Sequence, residues 1–154
     1  MTAMAQVYQP SRGMRIIHTL TALVALFGLC EATYLTVLAL TGETAVCGGS
    51  AGCFQVLGSS YARIGGIPVA GVGALAYFSV FTFATFAAFG YGLARRFLAL
   101  TVLLMFLFTL WLLSVQAFML HAFCRYCLVS AAMVFLLAGL VVATPPPTDS
   151  STNT

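Results

Sequence analysis

Two pairs of cysteines are the residues of this 154-residue chain best suited to chemistry. Cys47 and Cys53 enclose a glycine-rich loop, and Cys124 and Cys127 form a C-x-x-C motif at the start of a hydrophobic segment. Two intervening residues at a helix start bring both sulfurs of such a motif within reach of a disulfide bond. The unpaired N–H groups of the helix end stabilise a thiolate, and Arg125 adds positive charge. Because a thiolate can attack a disulfide or an electrophilic quinone ring, C-x-x-C favours redox chemistry.

Structural roles for the same cysteines remain as alternatives. A zinc site with four thiolates needs a second matching C-x-x-C, but five residues separate Cys47 from Cys53. Covalent haem needs a histidine directly after the motif, where Leu128 stands. We therefore predict no metal ligands. For Cys47 and Cys53 alone, an electron relay and a structural disulfide are equally compatible, although so short a ring stabilises a fold only modestly.

Composition places the chain in a membrane. Hydrophobic residues make up 62% and charged residues only 6%, whereas a soluble domain is about one quarter charged. Four apolar segments are each long enough to cross a hydrocarbon core of about 30 Å as helices. They cover about 16–40, 67–89, 97–120 and 123–143. Because a lipid-exposed backbone must satisfy its own hydrogen bonds, we predict an all-α membrane protein, a four-transmembrane-helix bundle.

Arginines indicate the orientation of this bundle. Arg12 and Arg15 flank the first span, and Arg95 and Arg96 lie between the second and third. Basic residues concentrate on the cytoplasmic side, so we predict that both termini are cytoplasmic and that both cysteine pairs share the outer face. The net charge of +3 then reports topology and requires no nucleic-acid partner.

The first outer loop, residues 41–66, is the long connection. Its segment from Cys47 to Cys53 is dense in glycine and is predicted to be flexible. From Phe54 to Tyr61, apolar residues at helical spacing, including Leu57, predict a short interfacial helix at the mouth of the bundle. We expect one transmembrane domain over residues 1–143, and a flexible tail over 144–154 in which three prolines follow Thr144.

Three further residues have open roles. Cys30, within the first span, is compatible with a small hydrophobic packing residue. Glu31 beside it is unusual, because a carboxylate in a span is costly and often functional. It could exchange a proton during quinone reduction, or it could be a protonated packing residue. His121 could assist deprotonation of Cys124, or it could simply belong to the interfacial turn.

The order of these features resembles the vitamin K epoxide reductase family and its bacterial homologues. A cysteine pair in the first outer loop is followed by the run C-F-Q-V-L-G-S-S-Y-A from Cys53. Next come G-I-P at 66–68 and C-x-x-C at the opening of the fourth span. The similarity extends over about residues 16–143, and this ordered combination is specific to the family.

The resemblance implies a role for each cysteine. Cys47 would exchange disulfides with a thioredoxin-like protein, and Cys53 would relay electrons to Cys124. Cys127 would be the thiolate that attacks the quinone, with Cys124 as its resolving partner. Three residues would contact the quinone, which would lie at the outer end of the bundle: Leu57, Ser59 and Cys127.

The sequence departs from the vertebrate members of that family at the quinone. Those enzymes hold the naphthoquinone oxygens with an asparagine in the second span and a tyrosine four residues after the last C-x-x-C cysteine. Here the only asparagine is Asn153, and the tyrosine position holds Ala131. The departure argues against epoxide reduction and favours a simpler reductase of ubiquinone, menaquinone or a vitamin K-type quinone.

The resemblance also implies a partner and a location. Some bacterial relatives carry a fused thioredoxin-like domain, and this sequence does not, so we expect a separate thioredoxin-like or DsbA-like protein. The bacterial inner membrane is the expected location, with membrane lipids around the bundle. The disulfide oxidases of the DsbB type are functionally similar, but their C-x-x-C motif lies in the first outer loop, which argues against that family.

Two other functions are compatible with the sequence. The protein could reduce vitamin K epoxide as well as a quinone. It could instead be a non-catalytic membrane subunit whose cysteines are structural. Turnover of epoxide by the purified protein distinguishes the first alternative, and the absence of redox titration of C-x-x-C distinguishes the second.

Overall fold

Long apolar helices account for most of the structure. The computed structural model describes residues 9–41 and 51–144, apart from the side chains of Phe54 and Leu57. These residues form the helices α1 (Arg12–Thr41), α2 (Ala51–Leu57), α3 (Val69–Ala88), α4 (Gly92–Ser114) and α5 (Arg125–Ala143). A π-helical segment, Val115–Leu120, continues α4. With that continuation, α1, α3, α4 and α5 are long and apolar enough to cross a membrane.

The predicted class, an all-α membrane bundle with four spans, is confirmed. The first and third spans begin about one turn earlier than their apolar segments, at Arg12 and Gly92. Their arginines therefore lie within the first turns of the helices. This is physically reasonable, because long arginine side chains can extend from a helix end towards water. The predicted tail beyond residue 144 lies outside the described part of the chain.

Small residues on α1 allow it to pack closely against α3, its most extensive partner. Ala25, Gly28 and Ala32 recur every three or four residues along α1, and they are buried. On α3, Tyr77 and Ala84 belong to the same buried core. Because lipid provides no hydrophobic driving force between helices, association in a membrane depends on such close contact.

The outer surface of the bundle is apolar. Only 17–22% of the most hydrophobic window of each span is buried inside the protein. Large side chains such as Phe27, Leu75 and Leu104 are between 58 and 70% exposed. A surface of this kind is compatible with lipid and not with water. The protein is therefore an integral membrane protein.

The two ends of the bundle differ in chemistry. At one end, His18 of α1, Arg95 and Arg96 of α4, and Thr144 after α5 line a common cavity of about 240 Å³. The connection between the π-helical segment and α5, which holds Cys124, lies at the opposite end because each span runs antiparallel to the next. The arginine pairs of α1 and α4 thus share one end, and the C-x-x-C motif lies at the other.

The loop between α1 and α3 is more ordered near Cys53 than the sequence suggested. Ala51, Gly52 and Cys53 begin α2, so the prediction of a flexible segment is wrong for these three residues. Gly52 explains the order, because a Cβ atom there would lie 3.0 Å from the backbone oxygen of Phe123. The helix thus packs directly on the turn before α5. Cys47 and the remainder of the glycine-rich segment fall outside the described residues.

A short hairpin connects α2 to α3. A 3₁₀ turn, Ser60–Ala62, leads into the strands β1 (Arg63–Ile64) and β2 (Ile67–Pro68), which pair antiparallel. The two residues between the strands, Gly65 and Gly66, have φ values of +58° and +88°. Glycine is favoured where both central residues of a tight hairpin need a positive φ. The predicted interfacial helix is therefore present as α2 followed by a 3₁₀ turn and a hairpin.

Gly28 is expected to be essential for the contact between α1 and α3. A Cβ atom at this position would lie 2.6 Å from Cζ and 2.7 Å from Cδ1 of Tyr77. The buried ring cannot easily move, because its hydroxyl is hydrogen-bonded to Ser130. We expect Gly28→Ala to destabilise the protein by about 1–3 kcal/mol, measured as a lower Tm in detergent.

Gly139→Ala provides the matched control for this prediction. Gly139 also lies within a span helix, but a Cβ atom there would meet no atom of the described residues within 4 Å. Alanine has the higher helix propensity, so the control should be neutral or slightly stabilising. Equal Tm values for the two variants would contradict the proposed close contact at Gly28.

Candidate active site

Three of the four predicted cysteines meet at the end of the bundle. Cys124 is fully buried and Cys53 is 2% exposed. Together with Val56 and Ala122 they form one buried cluster between α2 and the turn before α5. Cys127, in the first turn of α5, packs against the same cluster. The structure therefore brings Cys53, Cys124 and Cys127 together, whereas Cys47 lies outside the described residues.

The π-helical segment holds the C-x-x-C motif in place through Gln116. The side-chain oxygen of this buried glutamine accepts a hydrogen bond of 3.2 Å from the backbone N–H of Cys124. Its backbone oxygen also accepts one from the N–H of Ala122 at 3.3 Å. Gln55 of α2 donates to the backbone oxygen of Leu120 at 2.9 Å. These bonds attach both α2 and the turn before α5 to the same segment.

π-Helical turns are rare and occur frequently at functional sites, and this one ends in an unusual conformation. His121, directly after it, has a left-handed φ of +48°, which is uncommon for a residue other than glycine. The turn reverses the chain from α4 into α5 within four residues, His121 to Cys124. The side chain of His121 itself is exposed.

The described cysteines differ in redox state. Cys53 is disulfide-bonded, with a partner outside the described residues, while Cys30, Cys124 and Cys127 are free thiols. Cys30 is exposed on the outer surface of α1, so it is not the buried packing residue that the sequence suggested. Among the described cysteines, only those of the C-x-x-C motif therefore combine a free thiol with a place in the site.

The pKa of Cys124 is lowered to about 6, mainly by a hydrogen bond with the side chain of Cys127. Burial opposes this shift, and backbone hydrogen bonds from Cys127 and Tyr126 add to it. The contribution of the helix start is thus as the sequence suggested. The sequence also suggested that Arg125 and His121 promote the thiolate. Both side chains are exposed, and neither is among the groups that lower the pKa of Cys124. Cys124 is consequently a thiolate at neutral pH.

We expect the thiolate of Cys124 to titrate near pH 6 in the reduced protein, because its pKa is about 6. The measurement is thiolate absorbance in the ultraviolet against pH, in a Cys30→Ser background, with Cys124→Ser subtracted. Cys127→Ala removes the main hydrogen bond and should move the midpoint to higher pH. An unchanged midpoint in Cys127→Ala would contradict this account.

A cavity of about 720 Å³ extends from the cysteines into the bundle. All four spans contribute to its lining, which is largely apolar, and Cys127 is part of it. Cys53 and Cys124 are not among its described lining residues. Its size lies within the range of pockets for small organic ligands. Besides Cys127, the polar residues that line it are Glu31, Ser59, Tyr61, Arg63, Tyr77, Thr101, Thr109, Gln116, Tyr126 and Ser130.

Several cavity residues bear on the sequence predictions. Ser59 lines the cavity, and its hydroxyl donates to the backbone oxygen of Val56 at 2.8 Å, which fixes the end of α2. Leu57 is the last residue of α2, but its side chain is not described. Tyr77 and Ser130 reach the cavity as a hydrogen-bonded pair with 2.9 Å between their oxygens.

Sequence reasoning missed two of these groups. Gln116 carried a usable signal, because an amide within an otherwise apolar span is costly and often functional. Tyr77 carried no such signal, since a tyrosine in a span is also an ordinary packing residue. Its position in the site becomes clear only from the structure, in which its ring lies against Gly28 and its hydroxyl is hydrogen-bonded to Ser130.

Fold and site together define a class of protein. Four membrane spans, a reduced C-x-x-C pair at a helix start and an adjoining apolar cavity are the features of a membrane thiol oxidoreductase that uses a lipid-soluble acceptor.

The chain belongs to the vitamin K epoxide reductase family. The model of that family matches residues 19–142, which confirms the resemblance seen in the sequence. The match runs from α1 almost to the end of α5 and includes all the described cysteines. Family membership supports a membrane redox enzyme of the thiol and quinone type.

Proposed function

We propose that this protein oxidises the cysteines of a separate thioredoxin-like or DsbA-like protein and passes the electrons to a quinone, thereby generating disulfides. One observation carries the proposal. Cys124 is buried in the same cluster as Cys53, whereas Cys127 lines the cavity. The sulfurs therefore lie in the order in which electrons would travel, from the loop to C-x-x-C and then to the cavity.

The first step takes place at the loop. A thiolate of the partner attacks the disulfide between Cys47 and Cys53, forms a mixed disulfide with Cys47 and releases Cys53 as a thiolate. The second partner thiol then attacks this mixed disulfide. The partner leaves with a disulfide, and Cys47 and Cys53 hold its two electrons.

The second step moves those electrons into the C-x-x-C motif. Cys53 attacks Cys124, so the Cys124–Cys127 bond breaks and Cys127 leaves as a thiolate, which takes up one of the protons that the partner's thiols release. Cys47 then attacks Cys53, which restores the loop disulfide and releases Cys124 as a thiolate. The lowered pKa of Cys124, about 6, favours its departure, because thiols of low pKa leave faster.

The third step transfers the two electrons from the C-x-x-C motif to the quinone. A bound quinone would accept two electrons and two protons. Cys127 faces the cavity and delivers the electrons there, and the Cys124–Cys127 disulfide closes again. Tyr77 and Ser130 offer hydroxyl groups to a quinone oxygen, where vertebrate relatives use asparagine and tyrosine. Ser59 holds the end of α2 beside the cavity, and Leu57 lies two residues before it.

The distribution of disulfides supports this order. Cys53 is disulfide-bonded while Cys124 and Cys127 are reduced. This is the state that the scheme reaches after the second step, when the C-x-x-C motif is ready to reduce a quinone. Structural disulfides would not require a neighbouring pair of reduced thiols at the edge of an apolar cavity.

The arginines support the proposed orientation. Arg95 and Arg96 lie at the end of the bundle opposite to the C-x-x-C motif, which supports an outer location for the cysteines under the positive-inside rule. The bacterial inner membrane, with cytoplasmic termini, is the corresponding location. An oxidising outer compartment is also where new disulfides persist.

Anaerobic assays with purified protein test this function. The protein is mixed with a reduced DsbA-like protein and with ubiquinone, menaquinone or a vitamin K-type quinone, and quinol and partner disulfide are both measured. One quinol per partner disulfide is expected. Partner oxidation without quinol, or no reaction with any quinone, would overturn the proposal. Vitamin K epoxide in place of quinone tests the broader reductase activity.

A further inference from the structure

Glu31 is the acidic group of the cavity. It is the only carboxylic acid among the described residues, and it lines the cavity together with Cys127. Both carboxylate oxygens are buried, and neither has a hydrogen-bond partner among the described residues. The carboxyl group interacts electrostatically with Cys124, Cys127 and Tyr77. It therefore lies close to the site at which the electrons would leave.

An unpaired carboxylate inside a membrane protein is costly. The neutral acid is accordingly the favoured form of Glu31 when the cavity holds no partner for it. A neutral carboxyl group carries one proton that it can donate. If this position served only for packing, an apolar side chain of similar size would fill it without the cost of burying a polar group.

The C-x-x-C pair cannot supply all the protons that quinone reduction needs. Reduction of a quinone to a quinol consumes two electrons and two protons. The C-x-x-C pair supplies two electrons but holds only one proton, on Cys127, because Cys124 is a thiolate at neutral pH. The second proton must come from another group beside the quinone.

We propose that Glu31 donates this second proton to a quinone oxygen, an inference that rests on the proposed function. The Cys124 thiolate, the Cys127 thiol, the quinone and the Glu31 acid become the Cys124–Cys127 disulfide, the quinol and the Glu31 carboxylate. Both sides then carry two transferable protons and one negative charge. The sulfurs are oxidised by two electrons, and the quinone is reduced by two.

The other polar groups of the cavity are less suited to this role. Tyr77 and Ser130 are hydrogen-bonded to each other, and a hydroxyl group gives up its proton only at high pH. Gln116 has no acidic proton, and its oxygen already accepts from Cys124. After the quinol leaves, Glu31 would recover a proton from water that enters the cavity, whose lining includes the exposed Arg63.

Glu31→Gln tests the inference, because it keeps the size of the side chain and removes the acid. We expect kcat for quinone reduction to fall about 100-fold or more, in the range of general acid catalysis, with little change in KM. Formation of the Cys53–Cys124 mixed disulfide should not change, since that step needs no proton from the cavity. Glu31→Asp should retain part of the activity.

Two further variants separate proton transfer from structure. Glu31→Ala leaves space in the cavity, so added acetic acid should restore part of its kcat. Thr19→Val changes another polar residue of α1, one that is exposed and does not line the cavity, and it should leave kcat near the wild-type value. Wild-type kcat in Glu31→Gln, or no rescue of Glu31→Ala by acetic acid, would overturn the proton role. Absence of quinone reduction in the wild-type protein would instead overturn the proposed function.

Discussion

Cys127→Ala is expected to abolish quinone reduction, with a loss of more than about 1,000-fold in rate, because removing a reacting nucleophile has effects of that order. Cys127 is the C-x-x-C cysteine that lines the cavity. Without it, Cys124 cannot close a disulfide within the motif, and no two-electron donor faces the acceptor. The measurement is the rate of quinol formation by the reduced, purified protein under anaerobic conditions.

The matched control is Cys30→Ser. Cys30 is also a free thiol within the membrane region, but it is exposed on the outer surface of α1. Its substitution should leave the rate unchanged. Full quinone reduction by Cys127→Ala, with Cys30→Ser equally active, would show that the electrons do not pass through the C-x-x-C motif.

Cys53→Ala should separate the two half-reactions. We expect the rate of quinone reduction driven by a reduced DsbA-like protein to fall by more than about 100-fold, because the attacking thiol for Cys124 is missing. With a small, permeable dithiol as the reductant, quinone reduction should persist, since Cys127 is accessible from the cavity. Both rates are measured on the same preparation.

The comparison of reductants makes this prediction specific. A variant that had merely lost its fold would fail with both reductants. Partner-driven turnover at the wild-type rate in Cys53→Ala would contradict the relay, because it would mean that the partner reaches Cys124 directly. Cys124 is fully buried, which is the reason why a relay is needed.

The bundle could be predicted because lipid makes strong demands on a sequence. A span must be about 20 apolar residues long, so the segments that became α3 and α5 were evident from hydrophobicity alone. The C-x-x-C motif was equally evident, since its chemistry depends on two residues at a short, fixed spacing. Its location at the start of α5, with Cys124 just before the helix, is where the sequence indicated.

The remaining features depend on contacts between distant segments, which no local pattern reveals. Gly52 begins an ordered helix, although glycines in a loop indicate flexibility, because it fits against the backbone of Phe123. Gly28 appears as one more small residue in an apolar span until the ring of Tyr77 is placed against it. The hydrogen bond from Cys124 to Gln116 spans eight residues and a π-helical turn.

The polar groups of the cavity could be predicted only in part from the sequence. Glu31 stood out in the sequence as the acid within a span. Its proximity to the cysteines and its buried, unpartnered oxygens arise only when α1 and α5 are packed together. The physical reason is that a helix pattern defines a face, whereas a site needs the faces of several helices.

A single-turnover reaction tests the central claim most directly. A Cys47→Ala, Cys53→Ala double variant is used, so that no loop thiol can reduce the new disulfide. It is fully reduced, freed of reductant, and mixed anaerobically with one equivalent of quinone, and its cysteines are then mapped by alkylation and mass spectrometry. We predict one quinol per protein, together with a new Cys124–Cys127 disulfide in the same molecules. Quinol formed while Cys124 and Cys127 both remain alkylatable, or a disulfide formed without quinol, would contradict the account.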